Sequence, residues 1–122
     1  MRTPIAVLVV EDEVLVRLDI ADYLSGQGFE VHEAAGADQA LEIMQTVPNI
    51  QLLFTDIDMP GSMDGLKLSA AVRDRWPPVH IIVTSGHKSV EASELPTGSV
   101  FFAKPYRQRD VARAMYNLLA GE

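Results

Sequence analysis

Short unbroken apolar runs alternate with segments of helical period along the whole chain. The first run, Ile5 to Val10, stops at Glu11 and Asp12. Val14, Leu18, Ala21 and Leu24 then recur at spacings of three and four, which predicts a helix with these residues on one face, ended by Gly26 and Gly28. Phe29 to Ala34 reads as a weaker strand. Ala37, Ala40, Leu41 and Met44 form a second helical stripe, closed by Pro48. Leu52, Leu53 and Phe54 make another continuous apolar run. A loop holding Pro60, Gly61 and Gly65 leads into a third helix on Leu68, Ala71 and Val72, stopped by Pro77 and Pro78. Val79 to Val83 is a fourth strand. His87 to Leu95, between Gly86 and Pro96, offers only Val90 and Leu95 as large apolar residues, so a short or irregular fourth helix is expected there. Val100 to Phe102 is a last strand, and Val111, Ala114, Met115 and Leu118 carry a last helix.

Strands without polar interruption, alternating strictly with helices, predict an α/β fold with a parallel sheet covered on both faces. Right-handed crossovers then give a doubly wound, flavodoxin-like sheet of five strands in the order 2-1-3-4-5, with residues 1–122 forming one domain. Ligands of such sheets bind outside the carboxyl ends of the strands. Four of the runs end in ionisable or hydroxyl residues: Glu11 and Asp12, Asp56 and Asp58, Thr84 and Ser85, and Lys104. In the expected order these strands are neighbours, so their ends converge. Grouped carboxylates repel one another and call for a cation, and an oxygen-only donor set suits a hard ion such as Mg²⁺. Lys104 is a point charge suited to a phosphate oxygen. Carboxylates, a divalent ion and a lysine together describe phosphoryl transfer, with an aspartate as nucleophile.

Charge and composition narrow the partners. Ten Lys and Arg against seventeen Asp and Glu give a net charge of −7, which disfavours nucleic acid and anionic lipid as direct partners. With 48% hydrophobic residues, the chain can build a real core and is not a disordered segment. The absence of cysteine removes disulfides, thiolate zinc sites and thiol catalysis. No apolar run approaches the roughly 20 residues of a membrane span, and Met1 to Pro4 leads into a strand rather than a signal peptide; a cytoplasmic location is expected. His32, His80 and His87 fall on different elements and imply no metal or catalytic group. Gly26-Gln27-Gly28 leads into a strand, which makes it a helix stop rather than a dinucleotide loop.

On these residues the chain resembles the receiver domains of two-component response regulators. Val9-Val10-Glu11-Asp12, Asp56-Ile57-Asp58-Met59-Pro60, Met63-Asp64-Gly65, Thr84-Ser85-Gly86 and Lys104-Pro105-Tyr106 carry the resemblance in the family's order, across essentially the whole chain. The resemblance implies that Asp56 accepts a phosphoryl group from the phosphohistidine of a sensor histidine kinase or phosphotransfer protein. It implies that Asp12 and Asp56 bind Mg²⁺, with the Asp58 backbone carbonyl as a further ligand and Glu11 acting through a bound water. Lys104 would bridge to the phosphoryl group. Thr84 would hydrogen-bond to it and drive a switch in which Phe101, three residues before Lys104, moves. Glu-Asp stands where Asp-Asp is commoner, Gly65 lies one place further from Asp56 than is usual, and the stretch from Thr84 to Lys104 is shorter than usual.

The leading expectation is therefore a phosphorylation-controlled signalling module that switches a protein-interaction surface. It is not an enzyme acting on an external substrate, although it would remove its own phosphoryl group at some rate. A phosphatase of the haloacid dehalogenase type is the alternative suggested by Asp56-Ile57-Asp58, and a phosphorylation-independent adaptor of the same fold is another. The chain ends just after its last helix, which fits either a stand-alone regulator or a piece of a longer protein. Arg107, Arg109 and Arg113 form a basic edge that reads as a solvated face or as a docking face, including one for a phosphorylation-dependent homodimer.

Overall fold

Five strands and four helices alternate through a computed structural model that describes residues 3–59, 63–86 and 91–121. They are β1 (Ala6–Val10), α1 (Val14–Gly26), β2 (Glu30–Ala34), α2 (Ala37–Thr46), β3 (Ile50–Asp56), α3 (Gly65–Arg75), β4 (His80–Ser85), β5 (Val100–Ala103) and α4 (Gln108–Ala120). All strand pairs are parallel, and the order is β2-β1-β3-β4-β5. Between β4 and β5, the described residues hold one 3₁₀ turn, Ala92–Glu94. This agrees with the expected weakness of the fourth helix; residues 87–90 of that expectation lie outside the described residues.

The two faces of the sheet bury separate cores. Leu8, Val10, Leu53, Ile81 and Val83 pack against Ala40 and Met44 of α2 and Leu68 and Val72 of α3. Val7, Val9, Leu52, Phe54 and Ile82 face Ile20 and Leu24 of α1 and Val111 and Met115 of α4. Each such side chain contributes about 1.5–3 kcal/mol by burial, against about 1–2 kcal/mol to order its backbone. β1, β3 and β4 are covered on both faces, so whatever projects from their tips stands on the most firmly held part of the fold.

One expected face is borne out in part, at Ala21 and Leu24 but not at Val14 and Leu18. α1 buries Ile20, Ala21 and Leu24, whereas Val14 is 54% and Leu18 48% exposed. At 100° per residue, Ile20 and Leu24 define a stripe that continues through Arg17, not through Val14 or Leu18. Elsewhere the chain punctuation works as expected. Gly28, at φ +98°, follows the end of α1 in a conformation that favours glycine. Asp64 caps α3 by accepting a 2.9 Å hydrogen bond from the Lys67 N–H. Trp76 closes α3, its N–H bonding the Val72 carbonyl, and its ring lies 4.5 Å beneath the Arg75 guanidinium.

Candidate functional site

Strand register assembles the site. Val10 pairs with Thr55, so Glu11 and Asp56, the next residue of each strand, emerge side by side. Asp56 pairs with Thr84, and Ser85 with Ala103, which puts Lys104 at the same level. The Ile57 N–H bonds the Thr84 carbonyl at 2.8 Å, and the Lys104 N–H bonds the Ser85 carbonyl at 3.0 Å, extending the ladder past the formal strand ends. Four strands thus deliver their polar tips to one edge, as their sequence ends implied.

Glu11, Asp12 and Asp56 present carboxylate oxygens that all lie within 4.8 Å of one another. The Lys104 Nζ donates to Glu11 Oε1 at 2.8 Å and to Asp56 Oδ2 at 3.0 Å. Glu11 uses its second oxygen to accept from the Glu13 N–H at 3.1 Å. Asp56 Oδ1 accepts from the Asp58 N–H at 3.2 Å. Burial of Lys104 disfavours its charge, but the hydrogen bonds and charges of Glu11 and Asp56 outweigh that and hold its ammonium above the ordinary lysine range. Asp12 is shifted upward as well, which for an acid favours the neutral form. Its burial, then the hydrogen bond and charge of Glu11, raise its carboxyl above the usual carboxylate range. One lysine does not neutralise this group, and a set of hard oxygen donors with surplus negative charge fits a divalent cation such as Mg²⁺.

Asp58 sits apart from the three. Its carboxylate accepts from the Ser85 hydroxyl at 2.8 Å and from the Gly86 N–H at 3.3 Å, tying the loop after β3 to the end of β4. Thr84 is 1% exposed and its hydroxyl has no hydrogen-bond partner among the described residues. A buried orphan of this kind costs about 1–3 kcal/mol. Phe101 is half-buried and packs on the α2 and α3 face of the sheet, in register with Val83. Tyr106 meets Phe54 edge-on at 5.5 Å, and burial pushes its phenol up to about 12.

Two glycine and proline features shape the rim. A Cβ on Gly65 would stand 2.0 Å from the Asp56 carbonyl oxygen, so the start of α3 presses directly on the backbone of the buried aspartate. The Lys104–Pro105 peptide is cis. The hollow above these residues is small, about 190 Å³, and is lined by Asp12, Glu13, Val16, Asp56, Asp58, Gly86 and Lys104. A larger depression of about 670 Å³ lies at the amino ends of the strands; among the described residues Glu30 is its one charged lining residue, so its size does not make it the chemical site.

Sequence reasoning overlooked Arg17. Its side chain is 16% exposed, and its guanidinium donates to the Glu11 carbonyl at 2.9 Å and pairs with Glu33 at 3.3 Å. The available signal was its position three residues before Ile20 and seven before Leu24, on the buried stripe of α1.

Comparison with known proteins places this geometry in context. The family model described as the response regulator receiver domain matches residues 7–115. The sensor kinase CckA of Brucella abortus is 34% identical over 117 residues, covering 93% of this chain but 12% of that protein. The putative NtrX-like response regulator of Rickettsia bellii is 38% identical over 90 residues, covering 73% of this chain and 19% of that protein. The chain therefore spans less than a fifth of these two relatives. The crystal structure of a response regulator receiver protein from Sinorhizobium medicae superposes with a TM-score of 0.89 at 27% identity, covering 96% of this chain and 95% of that one. The receiver domain of hybrid histidine kinase CckA superposes with a TM-score of 0.79 at 33% identity, covering 93% of this chain and 98% of that one.

Proposed function

The chain belongs to the response regulator receiver domain family of two-component signalling, and from that premise we propose that it accepts a phosphoryl group on Asp56 from a sensor histidine kinase or phosphotransfer protein and so switches a protein-interaction surface. The observation that carries this reading is the company Asp56 keeps: a buried carboxylate at the tip of the central strand, bonded to Lys104 and grouped with Glu11 and Asp12. An Asp56 oxygen forms the new P–O bond while the P–N bond to the donor histidine breaks, and the leaving imidazole keeps the electron pair of that bond. Lys104 is already within reach of Asp56 and follows the charge onto the phosphoryl oxygens. Asp12 and Asp56, with Glu11 and the Asp58 carbonyl beside them, would hold Mg²⁺, which when bound neutralises charge between the carboxylates and the incoming dianion.

This predicts a metal requirement. Asp12→Ala should remove most Mg²⁺ binding, Glu11→Ala should weaken it less, and neither Mg²⁺ nor Mn²⁺ removal should be tolerated by the labelling reaction with acetyl phosphate. Equal labelling in excess chelator would overturn the metal assignment.

The orphan hydroxyl of Thr84 supports a switching role. A phosphoryl group brings about −1.5 to −2 charges and three acceptor oxygens to its register partner, Asp56. Thr84 can then satisfy its hydroxyl there, and Phe101, on the neighbouring strand, follows it. Thr84→Val should leave labelling of Asp56 intact and raise the stability of the unphosphorylated protein by about 1 kcal/mol, because the orphan is removed. It should also shrink the stability gained on adding beryllofluoride. Lys104→Ala should instead impair labelling strongly, since it leaves the carboxylates uncompensated. If Thr84→Val blocks labelling as severely as Lys104→Ala, the two roles are wrongly divided.

The cytoplasm is the expected location for a partner of a kinase domain. Among the described residues no helix is long and apolar enough to cross a membrane. At a net charge of −7 this domain itself works through protein contacts, and any nucleic-acid contact would belong to another part of a larger protein. The haloacid dehalogenase reading needs Asp58 as an acid beside Asp56, whereas its carboxylate is engaged by Ser85 and Gly86. The adaptor reading gives no use to the intact acidic group.

A further inference from the structure

Glu11 is held by its main chain and its side chain in different ways. Its N–H donates to the Ala34 carbonyl of β2 at 3.1 Å, and its carbonyl accepts from Arg17 Nη1 at 2.9 Å. Its carboxylate is spread between Lys104 and the Glu13 N–H. The carboxylate contacts are those a cation would compete for. The two main-chain contacts do not use the carboxylate oxygens, so a cation need not displace them, and Arg17 supplies one of the two from its side chain.

Arg17 is built for that task. It sits on the buried stripe of α1, where a charged residue is out of place unless paired. Its Nε pairs with Glu33, whose neighbour in β2 is the same Ala34 that holds the Glu11 N–H. The planar guanidinium fork reaches the two partners from separate nitrogens, Nη1 to the Glu11 carbonyl and Nε to Glu33, in one fixed geometry. It therefore links α1 to β2 and to Glu11 just past the end of β1, the residue before Asp12.

We infer that Arg17 is a positioning residue for the metal site: by fixing the Glu11 carbonyl and anchoring on Glu33, it sets where the Glu11–Asp12 pair stands and so how tightly Mg²⁺ binds. The inference rests on the proposed Mg²⁺-dependent reading of the site. Among the described residues Arg17 bonds Glu11 and Glu33 and not Asp56, so its effect on the site passes through the Glu11–Asp12 pair.

The test is a calorimetric Mg²⁺ titration of the unsubstituted protein, Arg17→Met and Glu33→Gln, alongside acetyl phosphate labelling over a range of Mg²⁺. Loss of a group that orients metal ligands typically weakens affinity about 10–100-fold, so Arg17→Met should raise the Mg²⁺ Kd about tenfold or more. Labelling at saturating Mg²⁺ should return to the unsubstituted rate. Glu33→Gln, at an exposed position, should keep the fold and raise the Kd in the same direction by less, because the Glu11 carbonyl contact remains. A Kd unchanged in a folded Arg17→Met would overturn the inference. So would a labelling defect that saturating Mg²⁺ does not repair, which marks a merely structural role. If Arg17→Met does not fold, an unchanged Kd in Glu33→Gln overturns it equally. Absence of Mg²⁺ binding by the unsubstituted protein would instead sink the metal reading itself, and this inference with it.

Discussion

Asp56→Asn should take up no phosphoryl label from acetyl phosphate or from a phosphorylated kinase, while keeping the fold. The amide has nearly the shape of the carboxylate, so it still accepts from the Asp58 N–H, and Lys104 keeps Glu11 as a charged partner. Removing one partner of a buried ion pair usually costs about 3–5 kcal/mol because the other charge is stranded. Here Lys104 is not stranded, and the substitution also relieves repulsion among three carboxylates. Stability should therefore change little, whereas labelling should vanish because a neutral amide is no nucleophile for phosphorus. Denaturant melts and label incorporation separate the two effects. A variant that labels at the unsubstituted rate would remove Asp56 from the mechanism.

Gly65→Ala should damage both stability and labelling. Its Cβ would lie 2.0 Å from the Asp56 carbonyl oxygen and 2.7 Å from its carbon. Those are backbone atoms of a central strand, and they cannot swing aside as a side-chain tip would. Either α3 moves away or the end of β3 moves. Overpacking of this kind costs about 1–3 kcal/mol. A shift of about 1 Å at a reacting group can cost about 100-fold in rate, so labelling should slow by about that factor even where the variant is folded. A Gly65→Ala protein that melts and labels like the unsubstituted one would show that α3 yields without disturbing Asp56.

The central strands and their polar tips were legible because both signals are local. A continuous apolar run marks a strand buried on two faces, and the residue after it marks the sheet edge where ligands bind. Glu11, Asp56, Thr84 and Lys104 were read in that way, and the register brings them together. What α1 buries was harder to read, since Val14 and Leu18 fit a helical stripe as well as Ile20 and Leu24 do. The choice between stripes is made by tertiary packing, which leaves Val14 and Leu18 about half exposed. Arg17 was missed for the same reason. The engagement of Asp58 by Ser85 and Gly86 was also hidden, because residues 27 and 28 positions apart meet only once β3 and β4 pair. The weak stretch before β5 was visible as a lack of apolar periodicity, and the 3₁₀ turn at Ala92–Glu94 reflects it.

The most direct measurement is peptide mapping of the protein after treatment with acetyl phosphate, once with Mg²⁺ and once with excess chelator. The expected result is a single modified residue, Asp56, present with Mg²⁺ and absent with chelator. Modification at another residue, or equal modification of Asp56 in both samples, would contradict Mg²⁺-dependent phosphoryl acceptance at the tip of β3.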